Sequence, residues 1–123
     1  MLLAGCSSSQ TADDATPTSS TLLSPEGYAD MLEAGDRYAI NVHTPDEGSI
    51  AGTDLAIAFD QLEAREAELP AERSTKLAIY CMSGNMSATA AETLAAMGYT
   101  DIVDLQGGMA AWQATGRDLL PAA

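Results

Sequence analysis

The first part of the chain changes from helical to strand-like spacing of its apolar residues. Ser24 and Pro25 have the order of an N-cap and a proline at the first helical position, and apolar side chains then follow at helical spacing as far as Gly35. Residues 38–43 are a largely apolar run that ends in a polar, glycine-containing loop. The pattern therefore predicts an amphipathic helix followed by a strand.

The next segment combines a charged helix with an apolar strand. Asp60 and Glu63 have the spacing of a capping box, which predicts a helix over residues 60–69. Residues 76–80 are a short apolar run between polar neighbours, and they lead directly into Cys81. This run is typical of a buried strand.

The last part of the chain repeats the alternation. A helical pattern runs from Ser87 to Gly98, residues 101–105 are a third short strand, and a final helix begins at Gly107 and ends at Gly116. Strands that alternate with helices favour parallel crossover units. The expected fold is a single α/β domain, with an open parallel sheet flanked by helices.

The N-terminal segment differs from the rest in pattern. Small residues lead to Cys6, and a stretch rich in Ser and Thr follows, which resembles the lipobox of bacterial lipoproteins. The resemblance implies lipidation of Cys6 and an extracytoplasmic, membrane-anchored protein that meets the membrane only through its lipid. We therefore divide the chain into a shortened signal over residues 1–6, a flexible linker over 7–23 and one domain over 24–123. The alternative is a chance Ala-Gly-Cys sequence in a disordered tail.

Composition narrows the function classes. Eighteen acidic residues against five basic ones give a formal net charge of -13, which repels polyanions, so nucleic acid is not an expected partner. The two cysteines permit one disulfide, but Cys6 lies in a segment with no other structural signal. Cys81 is thus the residue on which a chemical hypothesis can be built.

Cys81 stands where a parallel sheet places reactive groups, after the carboxyl end of a strand and before a helix. The six residues that follow it form the predicted loop: Met82, Ser83, Gly84, Asn85, Met86 and Ser87. Backbone N–H groups of such a loop, together with the helix dipole, stabilise an anion. We expect a thiolate that attacks a sulfane sulfur and a persulfide that the same amides hold. The alternative is a small, buried, apolar residue at a strand end.

Three segments together resemble the rhodanese family. The loop from Cys81 to Ser87 is similar to that family's active loop, residues 107–112 are similar to its Gly-Gly-x-x-x-Trp signature, and residues 39–47 resemble its first strand and turn. The resemblance covers about residues 24–117. It implies a sulfurtransferase with the persulfide on Cys81, held by residues 82–87, with no cofactor and no metal. The implied partners are a small sulfur-containing donor and a thiol acceptor, with a partner protein as a further option.

The departures from that family concern charge. Its members often carry Asp and Arg where this chain has Asn41 and His43, and often an Arg where Met86 stands. Thiosulfate is a dianion, and a loop without a cation offers it no charge-assisted contact. We therefore expect a persulfide or polysulfide donor rather than thiosulfate. His43 is either a base or, at its strand-end position, a structural residue.

Three other functions compete with sulfur transfer. The first is a sulfur-binding or protein-interaction module with little turnover. The second is a phosphatase, which resembles rhodaneses in fold but needs a loop arginine, whereas no Arg or Lys occurs between Lys76 and Arg117. The third is a Cu(I) site, since Cys81, Met82 and Met86 are soft ligands, although methionine is also a common apolar filler.

Overall fold

The computed structural model describes residues 20–122, which fold around one five-stranded sheet whose paired strands all run parallel. The strands are β1 (Thr21–Leu23), β2 (Tyr38–Asn41), β3 (Leu55–Ala56), β4 (Leu77–Tyr80) and β5 (Ile102–Leu105), in the order β1-β5-β4-β2-β3 across the sheet. The helices are α1 (Pro25–Ala34), α2 (Asn85–Ala96) and α3 (Gly108–Ala114), with a short 3-10 helix at Glu66–Glu68. The predicted α/β domain with an open parallel sheet is confirmed.

Two hydrophobic clusters cover the two faces of the sheet, because side chains alternate along each strand. On one face, Leu77 and Ile79 of β4 pack with Leu94 of α2. On the other face, Ala78 and Tyr80 pack with aromatic side chains from α1 and α3. The central strand β4 is therefore buried on both sides, which explains its continuous apolar sequence.

Helix α1 forms where the capping signals placed it. The Ser24 hydroxyl accepts a hydrogen bond from the Gly27 N–H at 3.2 Å, and Pro25 occupies the first turn. Gly35 ends the helix with a φ of 74°, a left-handed conformation that suits glycine. Both ends of this helix are thus determined by local sequence.

The predicted helix over residues 60–69 was wrong. The segment consists of turns and the 3-10 helix, closed by bonds such as Leu69 N–H to Glu66 O. Only Leu62 and Leu69 reach the core, so the segment lacks the continuous apolar face that holds a helix on a sheet. A bidentate pair between Arg65 and Glu68, at 2.7 and 2.6 Å, closes the turn instead.

The N-terminal boundary of the domain also differs from expectation. The linker was expected to extend through residue 23, but Thr21–Leu23 form β1, which pairs with β5 at the edge of the sheet. Residues 7–19 of the predicted linker and the predicted signal with Cys6 lie outside the described residues. Within residues 20–122, no helix has the length and apolar character needed to cross a bilayer.

Candidate active site

Cys81 follows the last residue of β4, the strand at the centre of the sheet. Its side chain is a free thiol with 1% of its surface exposed. Strand β4 pairs with β2 on one side and β5 on the other, and all three strands end at this edge of the sheet. The structure therefore places the thiol where the sequence predicted it.

The sulfur of Cys81 accepts hydrogen bonds from two backbone amides. The N–H groups of Gly84 and Ser87 lie 3.0 and 3.3 Å from the sulfur, and the Ser87 hydroxyl lies at 3.4 Å. Gly84 has a φ of 116°, a backbone conformation that a residue with a side chain adopts only under strain. The loop therefore curls around the sulfur with its amides facing inward.

The loop is shorter than predicted. Helix α2 begins at Asn85 rather than at Ser87, so only residues 82–84 connect strand to helix. The Ser87 amide therefore belongs to the first turn of α2, where backbone N–H groups have no partner within the helix. This turn supplies a donor to the sulfur and places the positive end of the helix dipole beside it.

The other predicted loop residues do not meet around the sulfur. Ser83 and Asn85 are exposed. Met82 and Met86 are half-buried and pack against different clusters, on opposite faces of the sheet, and the cluster that Met86 contacts includes Cys81. Across the described part of the chain, no three side chains of His, Cys, Asp or Glu lie together as metal ligands do.

The first turn of α3 holds the backbone of the loop at Cys81 and Met82 by hydrogen bonds. The N–H groups of Met109 and Ala110 donate to the carbonyl oxygens of Cys81 and Met82, at 2.8 and 2.9 Å. Gly108 has a φ of 61°, and a Cβ built on it would lie 2.4 Å from the Cys81 oxygen. Gly108 is thus required because α3 approaches the backbone of the loop so closely.

Asp104 is a site residue that the sequence interpretation missed. It is 2% exposed in the middle of β5, and its Oδ2 accepts a hydrogen bond from the Ser87 hydroxyl at 3.0 Å. Burial raises the pKa of Asp104 to about 6, against the lowering effect of that hydrogen bond. The signal was present in the sequence, because a carboxylate inside a buried apolar strand requires a partner.

Asn41 and His43 hold the turn that follows β2. The Asn41 amide nitrogen donates to the Gly48 carbonyl at 3.1 Å, and its oxygen accepts from the His43 N–H at 3.0 Å. The His43 ring pairs with Glu47 at 2.6 Å. These contacts give both residues a structural role in the turn.

The basic side chains contact other parts of the molecule. Arg37 bonds the Leu77 carbonyl at 3.0 Å and pairs with Asp101, which places it at the amino ends of the central strands, opposite Cys81. The other four contact acidic or aromatic side chains: Lys76 with Asp36, Arg73 with Glu66, Arg65 with Glu68, and Arg117 over Trp112. These are the five Lys and Arg residues of the chain. The cradle around the sulfur, formed by the amides of Gly84 and Ser87, therefore has backbone N–H groups as its source of positive potential.

Comparison with known proteins supports the assignment of the fold. Residues 24–115 match the family model of the rhodanese-like domain. The chain is 36% identical over 107 residues to a probable adenylyltransferase/sulfurtransferase, MoeZ, of Mycobacterium tuberculosis. That alignment covers 82% of this chain but only 27% of the relative, so the chain spans about a quarter of its length.

Solved structures have the same architecture. A rhodanese-related protein from Thermoplasma volcanium is similar with a TM-score of 0.67 and 28% identity, covering 81% of this chain and 97% of the other. A thiosulfate sulfurtransferase from Pseudomonas aeruginosa has a TM-score of 0.71 at 20% identity, covering 85% of this chain and 21% of that one. At that identity the likeness concerns the fold alone.

Proposed function

The chain belongs to the rhodanese-like domain family, and from that premise we propose that it transfers sulfane sulfur through a persulfide on Cys81. The observation that carries the proposal is the pair of amides, from Gly84 and Ser87, that donate to the sulfur. Such donors stabilise an anion in a buried position, where an unpaired charge is costly. They serve both the attacking thiolate and the persulfide that replaces it.

The proposed step is an exchange without net oxidation. The Cys81 thiolate attacks the terminal sulfur of a persulfide R–S–S–H, a new S–S bond forms on Cys81, and the S–S bond of the donor breaks. The electron pair of the broken bond leaves with the thiolate RS⁻. A thiol acceptor then takes the same sulfur by the reverse exchange, which returns Cys81 to the thiolate.

The charge of the site disfavours a small dianion, such as thiosulfate, whose charge lies next to the reacting sulfur. The basic side chains are engaged elsewhere, and the formal net charge of -13 opposes the approach of a dianion. We therefore propose a low-molecular-weight persulfide, a polysulfide or a persulfide on a partner protein as donor. Thiosulfate is expected to be a poor one.

The test is thiocyanate formation from cyanide with glutathione persulfide or thiosulfate as donor. We expect turnover with the persulfide that is lost in Cys81→Ser, because serine forms no persulfide. Mass spectrometry of the protein after donor addition should show one extra sulfur atom on the peptide containing Cys81. Turnover that persists in Cys81→Ser would contradict the proposal.

A binding module with little turnover is the second candidate, favoured by the 1% exposure of Cys81. A thiol that is closed off from solvent accepts sulfur slowly from a bulky donor. This function predicts a stoichiometric persulfide on Cys81 without continued thiocyanate formation. The same assay therefore separates the two functions.

We also propose that Cys6 is lipidated and anchors the protein outside the cytoplasm, on the strength of the small residues before it and the Ser/Thr-rich stretch after it. A mass measurement on protein extracted from membranes tests this. A diacyl modification on Cys6 supports the anchor, and unmodified Cys6 in soluble protein contradicts it.

A further inference from the structure

The hydroxyl of Ser87 connects a buried carboxyl group to the reactive sulfur. Its oxygen lies 3.4 Å from Cys81 Sγ and 3.0 Å from Asp104 Oδ2, and it also lies 3.2 Å from the Gly84 carbonyl. A hydroxyl has a single proton to donate. The direction of the Ser87 O–H bond therefore depends on which of these neighbours is the stronger hydrogen-bond acceptor.

The protonation state of Asp104 determines that direction. As a carboxylate, Asp104 accepts a hydrogen bond from the Ser87 hydroxyl, and the lone pairs of the hydroxyl then face the sulfur, where they suit an S–H donor. As a carboxylic acid, Asp104 donates a hydrogen bond to the Ser87 oxygen, and the Ser87 hydroxyl is free to donate to an anionic sulfur. The two arrangements favour opposite charge states of Cys81.

The surroundings of Asp104 make both states accessible. Its Oδ1 is buried and has no hydrogen-bond partner among residues 20–122, so the carboxylate is incompletely solvated. The titratable groups that face it are Cys81, reached through Ser87 of α2, and Tyr28 of α1. Burial raises the pKa of Tyr28 well above its usual value, so this phenol stays neutral. Asp104 and Cys81 are therefore the pair that can exchange a proton.

We propose that Asp104 is a positioning residue that sets, through the Ser87 hydroxyl, whether the site favours a thiol or an anionic sulfur on Cys81. The Cys81 S–H bond breaks as its proton passes to the Ser87 oxygen, and the original Ser87 proton passes to Asp104 Oδ2. No electron is transferred, and the site keeps one negative charge, now on sulfur. This inference rests on the proposed role of Cys81 as the reacting sulfur.

The experiment follows the ionisation of Cys81 by its rate of alkylation with iodoacetamide, a neutral reagent, from about pH 5 to pH 10. The full chain carries Cys6→Ser so that one thiol remains. In Asp104→Asn we expect the profile to move about one pH unit lower, because a like charge near the sulfur is removed. Glu92→Gln, on the exposed face of α2, the helix that carries Ser87, is the charge-matched control and should leave the profile in place.

Ser87→Ala tests the connection itself. If Asp104 acts through the hydroxyl, adding Asp104→Asn to Ser87→Ala should move the profile by less than half of the shift that it causes alone. A purely structural role would lower stability without moving the profile. An Asp104→Asn profile that coincides with that of Glu92→Gln overturns the proposal.

The unmodified pair can also be observed directly, which covers the case of a variant that does not fold. The carboxyl carbon of Asp104, followed by NMR, should titrate at about pH 6 and show a second step at the pH where Cys81 ionises. Cys81→Ala should abolish the second step, and its persistence overturns the proposal. Neither measurement uses a sulfur donor, so both stand or fall independently of sulfur transfer.

Discussion

The backbone of Gly108 lies directly against the carbonyl group of Cys81. A Cβ on Gly108 would lie 2.4 Å from that oxygen and 2.5 Å from the carbonyl carbon of Met82. Both obstacles belong to backbone carbonyl groups whose oxygens accept hydrogen bonds from α3, so they cannot rotate away. The position of the Cys81 backbone and the start of α3 are therefore coupled.

Gly108→Ala should accordingly destabilise the domain and displace Cys81. The variant meets a left-handed backbone and a backbone clash, and we expect a loss of about 2–4 kcal/mol in the free energy of unfolding, measured in urea. Gly35→Ala is the matched control, because its φ is also positive, at 74°, and nothing lies within 4 Å of the added Cβ. The control should lose about 1 kcal/mol. Equal losses in the two variants would show that the clash has no effect.

Tyr80 supports the connection between β2 and β3 by satisfying a buried amide. Its hydroxyl accepts from the Ile50 N–H at 3.0 Å and lies 2.8 Å from the Thr53 hydroxyl. Tyr80→Phe leaves the amide without its partner, so we expect a loss of about 1–3 kcal/mol in urea unfolding. Tyr38→Phe removes the same atom at a half-buried position and should cost less than about 0.5 kcal/mol. Similar losses would mean that removal of a hydroxyl, and not the unpaired Ile50 amide, causes the effect.

Local signals were sufficient where one segment determines its own structure. Ser24, Pro25 and Gly35 define α1 through contacts within four residues, and the continuous apolar sequence of β4 follows from burial on both faces. The position of Cys81 after β4 followed from the same reasoning, since reactive groups collect at the carboxyl ends of parallel strands.

Features that depend on distant residues were not predictable in the same way. Strand β3 has only two residues and exists because β2 lies beside it. The Asp60 capping signal did not produce a helix because, of residues 60–69, only Leu62 and Leu69 reach the core. Asp104 acquires its role from Ser87, which is 17 residues away in sequence, so no spacing rule connects the two.

The stability of the domain should depend on pH through Asp104. Its folded pKa of about 6 lies above the value of 3.8 for an unperturbed carboxyl, so the folded state favours the protonated form. The stability contributed by that form is complete below about pH 4 and is lost as the pH rises through about 6. The Asp104→Asn variant has no carboxyl group at this position, so it cannot lose this stability as the pH rises. We therefore expect the stability of the wild type relative to Asp104→Asn to fall by about 1–3 kcal/mol between about pH 4 and pH 7.

Urea unfolding of both proteins at several pH values measures this difference directly. Other carboxyl groups titrate in both proteins and cancel in the comparison. The wild type and Glu92→Gln should show no such change between them, since Glu92 is exposed on α2. A constant difference between wild type and Asp104→Asn across the range would mean that folding does not raise the pKa of Asp104.

Donor choice should change when a cation is placed beside the cradle. Met86 lies in the first turn of α2, one residue before Ser87, whose amide contacts the Cys81 sulfur at 3.3 Å. Met86→Arg places a guanidinium near the sulfur, and a charge-assisted contact to a dianion contributes about 1.5–3 kcal/mol. We expect kcat/KM with thiosulfate to rise about tenfold or more, with a smaller change for glutathione persulfide.

Met97→Arg provides the control. Met97 is the C-cap of α2, at the opposite end of the helix from Met86, and it packs against the same cluster. Both variants change the net charge by the same amount, so an effect of overall charge would appear in both. A gain with thiosulfate confined to Met86→Arg, and falling with added salt, would assign donor selection to charge at the cradle. Equal gains in the two variants would assign it to long-range repulsion by the acidic surface.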